Sequence, residues 1–299
     1  MIPALLATLS FACSAVCGQR LSRLLGGITA NFRRLSLATA ITWLITLALF
    51  RETLEPDTFG WLLLSGFVGF GLGDLGLFLA YPRLGSRITM LVLSCSACIL
   101  AGLGDWLALR TTLKVPLVCA IGLTLCGLLL ALHRPNEPLR WNRGILFAII
   151  AGAGQAGGQV LSRVAQEIAR SHAAELPALA QTAQRLLGGW TVSLVSLFLL
   201  QAAAKRRESA PEEPAKRKKH LHFWLFGAAL FGPVIGVTAM QWALAELRSS
   251  ALVSAITATA PLLVMPLARL TEGDRPSARA FLGTLLSVAG ISWAAWLRR

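Results

Sequence analysis

Gly18-Gln19-Arg20-Leu21-Ser22-Arg23 recurs as Gly158-Gln159-Val160-Leu161-Ser162-Arg163, 140 residues further along, with five of six positions identical. A second series of matches holds at a constant offset of 163, pairing Gly69 with Gly232, Gly73 with Gly236, Ala80 with Ala243, Leu84 with Leu247, Ser86 with Ser249, Ala97 with Ala260 and Gly127 with Gly290. The offset grows by 23 because the second half carries longer connections. The chain therefore reads as two copies of one unit, residues 1–134 and 135–299.

Composition says what the unit is made of. Of the 299 residues 55% are hydrophobic and 14% charged, with a mean hydropathy of +0.65. A soluble domain carries about 25% charged residues, and a chain of this size has no core large enough to hide the excess apolar side chains. Apolar runs near the length needed to cross a bilayer fall at about 2–19, 34–50, 60–80, 86–109, 115–132, 143–163, 183–202, 222–244, 249–269 and 278–297. They are too long, and alternate too little, to be barrel strands. The expected fold class is all-α integral membrane, with ten transmembrane helices as two five-helix repeats. An odd number of spans per copy inverts one repeat relative to the other. That construction is common in secondary transporters, whose site lies near the midplane between halves.

The stretch 164–182 is either an interfacial helix or an extension of the sixth span. Trp61, Trp106, Trp141, Trp224, Trp293 and Trp296 fall near span ends, where indoles anchor at the headgroups. Residues 203–221 form a basic, proline-containing linker expected to be disordered. The net charge of +14 would suggest nucleic acid in a soluble protein, but beside membrane spans it serves orientation and lipid contact, so no nucleic-acid partner is expected. Cys95-x-x-Cys98 lies in an apolar run without further ligands, so no metal and no cofactor is expected.

Ala251–Pro261 (ALVSAITATAP), Gly273-Asp274-Arg275 with Gly283 beyond, and Gly71-Leu72-Gly73-Asp74 through Gly85-Ser86-Arg87 resemble the EamA-type transporters of the drug/metabolite transporter superfamily. The resemblance covers nearly the whole chain. Two positions depart from it: Cys98 stands where Pro261 has its counterpart, and Thr111 where Asp274 has its own. The resemblance implies a secondary transporter, an exporter of a small polar metabolite by alternating access. It also implies a multi-pass protein of the bacterial cytoplasmic (inner) membrane, for which a monomer suffices. Lys and Arg crowd the loops after odd-numbered spans, and the positive-inside rule would then put both termini outside. The resemblance implies cytoplasmic termini instead.

Asp74 is the sharpest candidate, because a carboxylate inside a span is costly unless paired, protonated or facing water. It is either a proton relay or substrate counter-ion, or an ion pair with Arg87 or Arg83. Gln19 and Gln159 occupy equivalent places, and Gln155 lies one turn before Gln159 on the same helix face. These amides either orient a polar substrate or hydrogen-bond between helices. Gln241 and Trp242 are further substrate-contact candidates, and Arg87 an anion contact. Trp43 and Trp190 sit in equivalent helices, on a cavity wall or in packing. Gly66, Gly69, Gly73 and Gly76, and Gly154-x-x-x-Gly158, form smooth faces for close helix approach.

Gly71-x-Gly73-x-x-Gly76 matches a dinucleotide fingerprint only by chance, since it lies within a span. No P-loop or nucleophile elbow is present, so no catalytic residue is assigned. The alternative reading is an integral-membrane enzyme acting on a lipid-linked substrate, with Glu272 and Asp274 as its acids.

Overall fold

Glycine and proline punctuate described residues that are otherwise almost entirely helical. The computed structural model describes residues 1–50, 56–109, 115–132, 142–205, 220–247, 253, 256–273 and 276–297. The helices are α1 (Ile2–Leu25), α2 (Gly27–Leu49), α3 (Pro56–Gly66), α4 (Asp74–Leu109), α5 (Val115–Leu132), α6 (Arg143–Ser171), α7 (Ala178–Lys205), α8 (Leu221–Ala229), α9 (Thr238–Leu247), α10 (Ala260–Glu272) and α11 (Ala278–Trp296). Two π-helical segments, Phe67–Gly73 and Leu230–Val237, join α3 to α4 and α8 to α9. Among the described residues no strand forms. The basic stretch 206–219, Thr111, Trp141, Ser249, and Asp274 with Arg275 lie outside the described residues, as do the side chains of Cys98 and Trp106.

Among the described residues six helices are long and apolar enough to cross a membrane: Ile2–Leu25, Gly27–Leu49, Pro56–Ala97, Arg143–Ser171, Ala178–Ala202 and Leu221–Leu247. The protein is thus a multi-pass integral membrane protein. The expected ten separate spans are recovered only in part. Pro56–Ala97 is one run of 42 residues where two spans are read from the sequence, and Cys119–Ala131 and Ala278–Trp293 are shorter apolar helices. That long run bends at Gly85, whose φ of 76° and ψ of 170° are closed to helix and to most side chains. Pro82, three residues earlier, already lacks the N–H that would continue the ladder.

Helices also outrun the hydropathy windows. α1 continues past Gln19 to Leu25, and α2 starts at Gly27, because Arg20, Arg23, Arg33 and Arg34 depress local hydropathy without breaking the helix. The stretch after 163 extends the sixth helix to Ser171, with Arg170 paired to Glu167 at 2.9 Å.

α1 lies at the centre, against α2, α4, α8, α9, α10 and the second π segment. Its buried face is built from Ala4, Ala7, Ala12, Ala15 and Gly18, small enough for neighbours to approach closely. α2 packs on α7, α5 on α11, and α3 with the first π segment on α6 and α7. The glycine faces meet as the sequence suggests. A Cβ added to Gly154 would lie 2.5 Å from the Cα of Gly73, and one added to Gly158 3.0 Å from the Cα of Gly69. Backbone therefore rests on backbone where α6 crosses the first π segment.

Candidate functional site

The first π segment reads FVGFGLG, and its three glycines leave little side chain to hold normal α-turns. It ends at Asp74, whose N–H donates to the carbonyl of Gly69, five residues back. π-bulges inside α-helices occur frequently at functional sites. Phe70, Asp74 and Phe78, at four-residue steps, follow one another through this bulge.

Arg34 of α2 meets that face. Its Nη1 donates to Oδ2 of Asp74 at 2.7 Å, with side-chain exposures of only 5% and 11%. The same guanidinium donates from Nε to the carbonyl of Ala228 at 3.3 Å and from Nη1 to Oδ1 of Asn31 at 3.3 Å. Asn31 in turn donates to Ser193 Oγ of α7. The arginine also stands over the Phe78 ring, 4.9 Å from its centroid. A buried carboxylate demands this kind of partner, since neither charge alone is tolerable in a low-dielectric interior.

Arg185 of α7 approaches from the other side. It is 2% exposed and stands 5.1 Å over the Phe70 ring, one step before Asp74. It interacts electrostatically with Asp74. Among the described residues its Nε and Nη1 have no hydrogen-bond partner. Arg34 and Arg185 are each the eighth residue of their helix, α2 and α7. Two cations and one carboxylate leave the group with a formal charge of +1.

Asp74 pairs with Arg34, not with Arg87 or Arg83. Arg83 bonds the carbonyl of Leu79 and stands over the Phe147 ring, and Arg87 is buried in α4. Gln155 and Gln159 do share a face: their Nε2 atoms point at the Met240 sulfur, at 3.9 and 3.7 Å. Gln19 is fully buried, and among the described residues neither amide atom has a partner. Gln241 donates to Oε1 of Gln181 at 3.0 Å, which also accepts from Gln166 at 2.9 Å. Trp242 is 53% exposed on the outer surface. Trp43 and Trp190 tie α2 to α7. Trp43 donates to the carbonyl of Ala183 and Trp190 to Ser36 Oγ, both at 2.9 Å.

Glu272 turns out to be a cap. Its carboxylate accepts from the backbone N–H of Ser86 at 3.1 Å and from the Ser86 hydroxyl, at the helix start that follows the Gly85 bend.

The sequence reading missed Arg34 and Arg185. Arg34 sits at the first position of a hydropathy window and passed for a loop arginine. Arg185 lies inside the seventh predicted run, and the test applied to Asp74, a charge within an apolar stretch, would have found it.

Fold and site together define a polytopic helical membrane protein organised around a buried charge group. The chain belongs to the EamA-like transporter family, whose model matches residues 1–133 and again 142–296. It is accordingly a membrane transporter of the drug/metabolite transporter type. A solved structure described as "Crystal structure of protein" is similar to it, at 17% identity and a TM-score of 0.60, over 97% of this chain and 96% of that one. At that identity the likeness concerns the fold. No curated protein matches the chain.

Proposed function

We propose that the protein is a secondary transporter that exports a small polar metabolite by alternating access, with Asp74, Arg34 and Arg185 at its centre. Ten spans form two inverted five-helix repeats, residues 1–134 and 135–299. Exchanging α1 with α6, α2 with α7 and α3 with α8 turns the packing of α3 on α6 and α7 into that of α8 on α1 and α2, and the contacts of the first π segment with α6 and α7 into those of the second with α1 and α2, which supports this reading. The two π segments also begin 163 residues apart, the offset of the glycine matches. The tryptophan bonds obey the exchange as well: Trp43 to Ala183 and Trp190 to Ser36 are related by a single offset of 147.

The observation that carries the proposal is the buried charge group, with one arginine from the second helix of each repeat and the carboxylate between them. In one state Asp74 holds Arg34. In the opposite-facing state it exchanges that partner for Arg185, and the glycine contacts of α6 on the first π segment let the halves rock. Gln155 and Gln159 of α6 and Gln241 of α9 line the substrate path, and Gln19 and Arg87 contact the solute in other states; Trp242, on the outer surface, takes no part in transport. Asp74 is the group that couples the cycle to protons. Reconstituted vesicles offered a metabolite panel under an imposed pH gradient test this. Wild-type flux should follow the gradient, and D74N flux should not. If D74N transports like wild type at every pH, Asp74 has no coupling role.

A further inference from the structure

The geometry points to an oxyanion subsite at Arg185: the transported solute carries a carboxylate or phosphate that this guanidinium binds. The inference rests on the transporter reading and names the substrate class for the same site. A guanidinium is never neutral at physiological pH, and burying one without an anionic partner is among the most costly arrangements in a protein interior. Native structures complete such groups, so each exception calls for an explanation. Arg34 is completed by Asp74, Asn31 and Ala228. Arg185 is not: it is buried, its Nε and Nη1 are unpartnered among the described residues, and Asp74, the carboxylate whose charge acts on it, is already bonded to Arg34.

Its surroundings fit an incoming anion. Nε and Nη1 lie on different edges of the guanidinium, and each borders Nη2, so either edge offers the pair of parallel N–H donors that grips carboxylate or phosphate oxygens. Gly69 presents no side chain to this guanidinium; a Cβ there would stand 3.4 Å from Nη2. Gln181, at i−4 from Arg185, already bonds Gln166 and Gln241. The +1 charge of the group is cancelled by one singly charged anion. A neutral solute would leave it uncancelled, and a cation would add to it.

The test uses the full-length protein in detergent, read by thermal melting. Probes are L-lactate and L-glutamate for carboxylates, glycerol 3-phosphate for phosphate esters, lactamide and glycerol as their uncharged counterparts, and putrescine as a cation. Wild type should be stabilised by an anionic probe, by about 3 °C when the probe stands about tenfold above its Kd. Lactamide, glycerol and putrescine should do nothing. The carboxylate and phosphate arms show which oxyanion fits.

Arg185→Met should abolish the shift, and Arg185→Lys should keep a weaker one. Unliganded Arg185→Met should also melt above wild type, because an unpartnered buried charge has been removed. A merely structural arginine would make that variant melt lower. The proposal is overturned if no anionic probe stabilises wild type, if an uncharged counterpart does so equally, if Arg185→Met keeps the shift, or if unliganded Arg185→Met melts below wild type. Vesicle transport separates the two readings. A neutral solute carried without anion binding refutes the subsite and leaves transport standing. Anion binding with no solute carried refutes transport and leaves the subsite standing.

Discussion

Replacing Asp74 by asparagine keeps the shape of the side chain and removes its charge. The buried group then goes from a formal +1 to +2, with Arg34 and Arg185 both uncompensated. Removing one partner of a buried ion pair costs about 3–5 kcal/mol. At about 2 °C per kcal/mol for a chain of this size, D74N should melt roughly 6–10 °C below wild type. Arg34→Met is a milder change, because Asp74 is left with Arg185 as an alternative partner and the group becomes neutral. Its loss is on the order of 1–3 kcal/mol, mainly the charged hydrogen bonds to Asn31 and Ala228. The double variant Asp74→Leu with Arg34→Met swaps the pair for apolar volume and should melt above D74N. The assay is thermal unfolding of purified protein in one detergent at one scan rate, since unfolding of such a protein is read as a rate. A D74N melt within about 1 °C of wild type, or an Arg34→Met melt below that of D74N, would refute the charge accounting.

Trp43→Phe and Trp190→Phe each lose one indole hydrogen bond, and each should cost about 0.5–1.5 kcal/mol by thermal melting; clearly unequal losses would speak against the exchange symmetry of α2 and α7. Gly66→Ala drives a methyl into the backbone carbonyl of Arg185 and should cost about 1–3 kcal/mol or more, whereas Gly60→Ala, inside α3 with open space around it, should raise the same melt slightly. Glu272→Gln weakens the cap on Ser86 and should cost about 1 kcal/mol, and hydrogen exchange of the Ser86 amide should rise in that variant. Trp242→Leu, on the outer surface, should leave vesicle flux unchanged, and a large loss of flux would place that indole on the path.

The helical membrane class was legible because it rests on composition and run length, quantities that survive without coordinates. The proposed two-copy pattern rests on Gly18–Arg23 and Gly158–Arg163, which match in register. Helix lengths were not, since a few arginines lower hydropathy far more than they lower helix propensity. Asp74 was found because it is an exception to its surroundings, but its partner was not. Sequence proximity suggested Arg83 and Arg87, and the true neighbour arrives from α2, 40 positions away in the chain. Glu272 shows the opposite error. Next to Asp274 it resembles a catalytic acid, and only the Gly85 bend reveals it as a cap. Arg34 and Arg185 escaped notice because the repeat was read from its glycines, not from the charges within its apolar helices.

The central claim is that the space around Asp74 and Arg34 opens to each side of the membrane in turn. Ser14 is the reporter position: its hydroxyl would lie 2.5 Å from a Cβ on Gly232, and Arg34 Nη2 lies 3.0 Å from that same point. With the six native cysteines replaced, Ser14→Cys is exposed to a membrane-impermeant thiol reagent in right-side-out and in inside-out vesicles. Alternating access gives labelling from both sides, slowed in each case by transported solute. Labelling from one side only, or from neither, would contradict it.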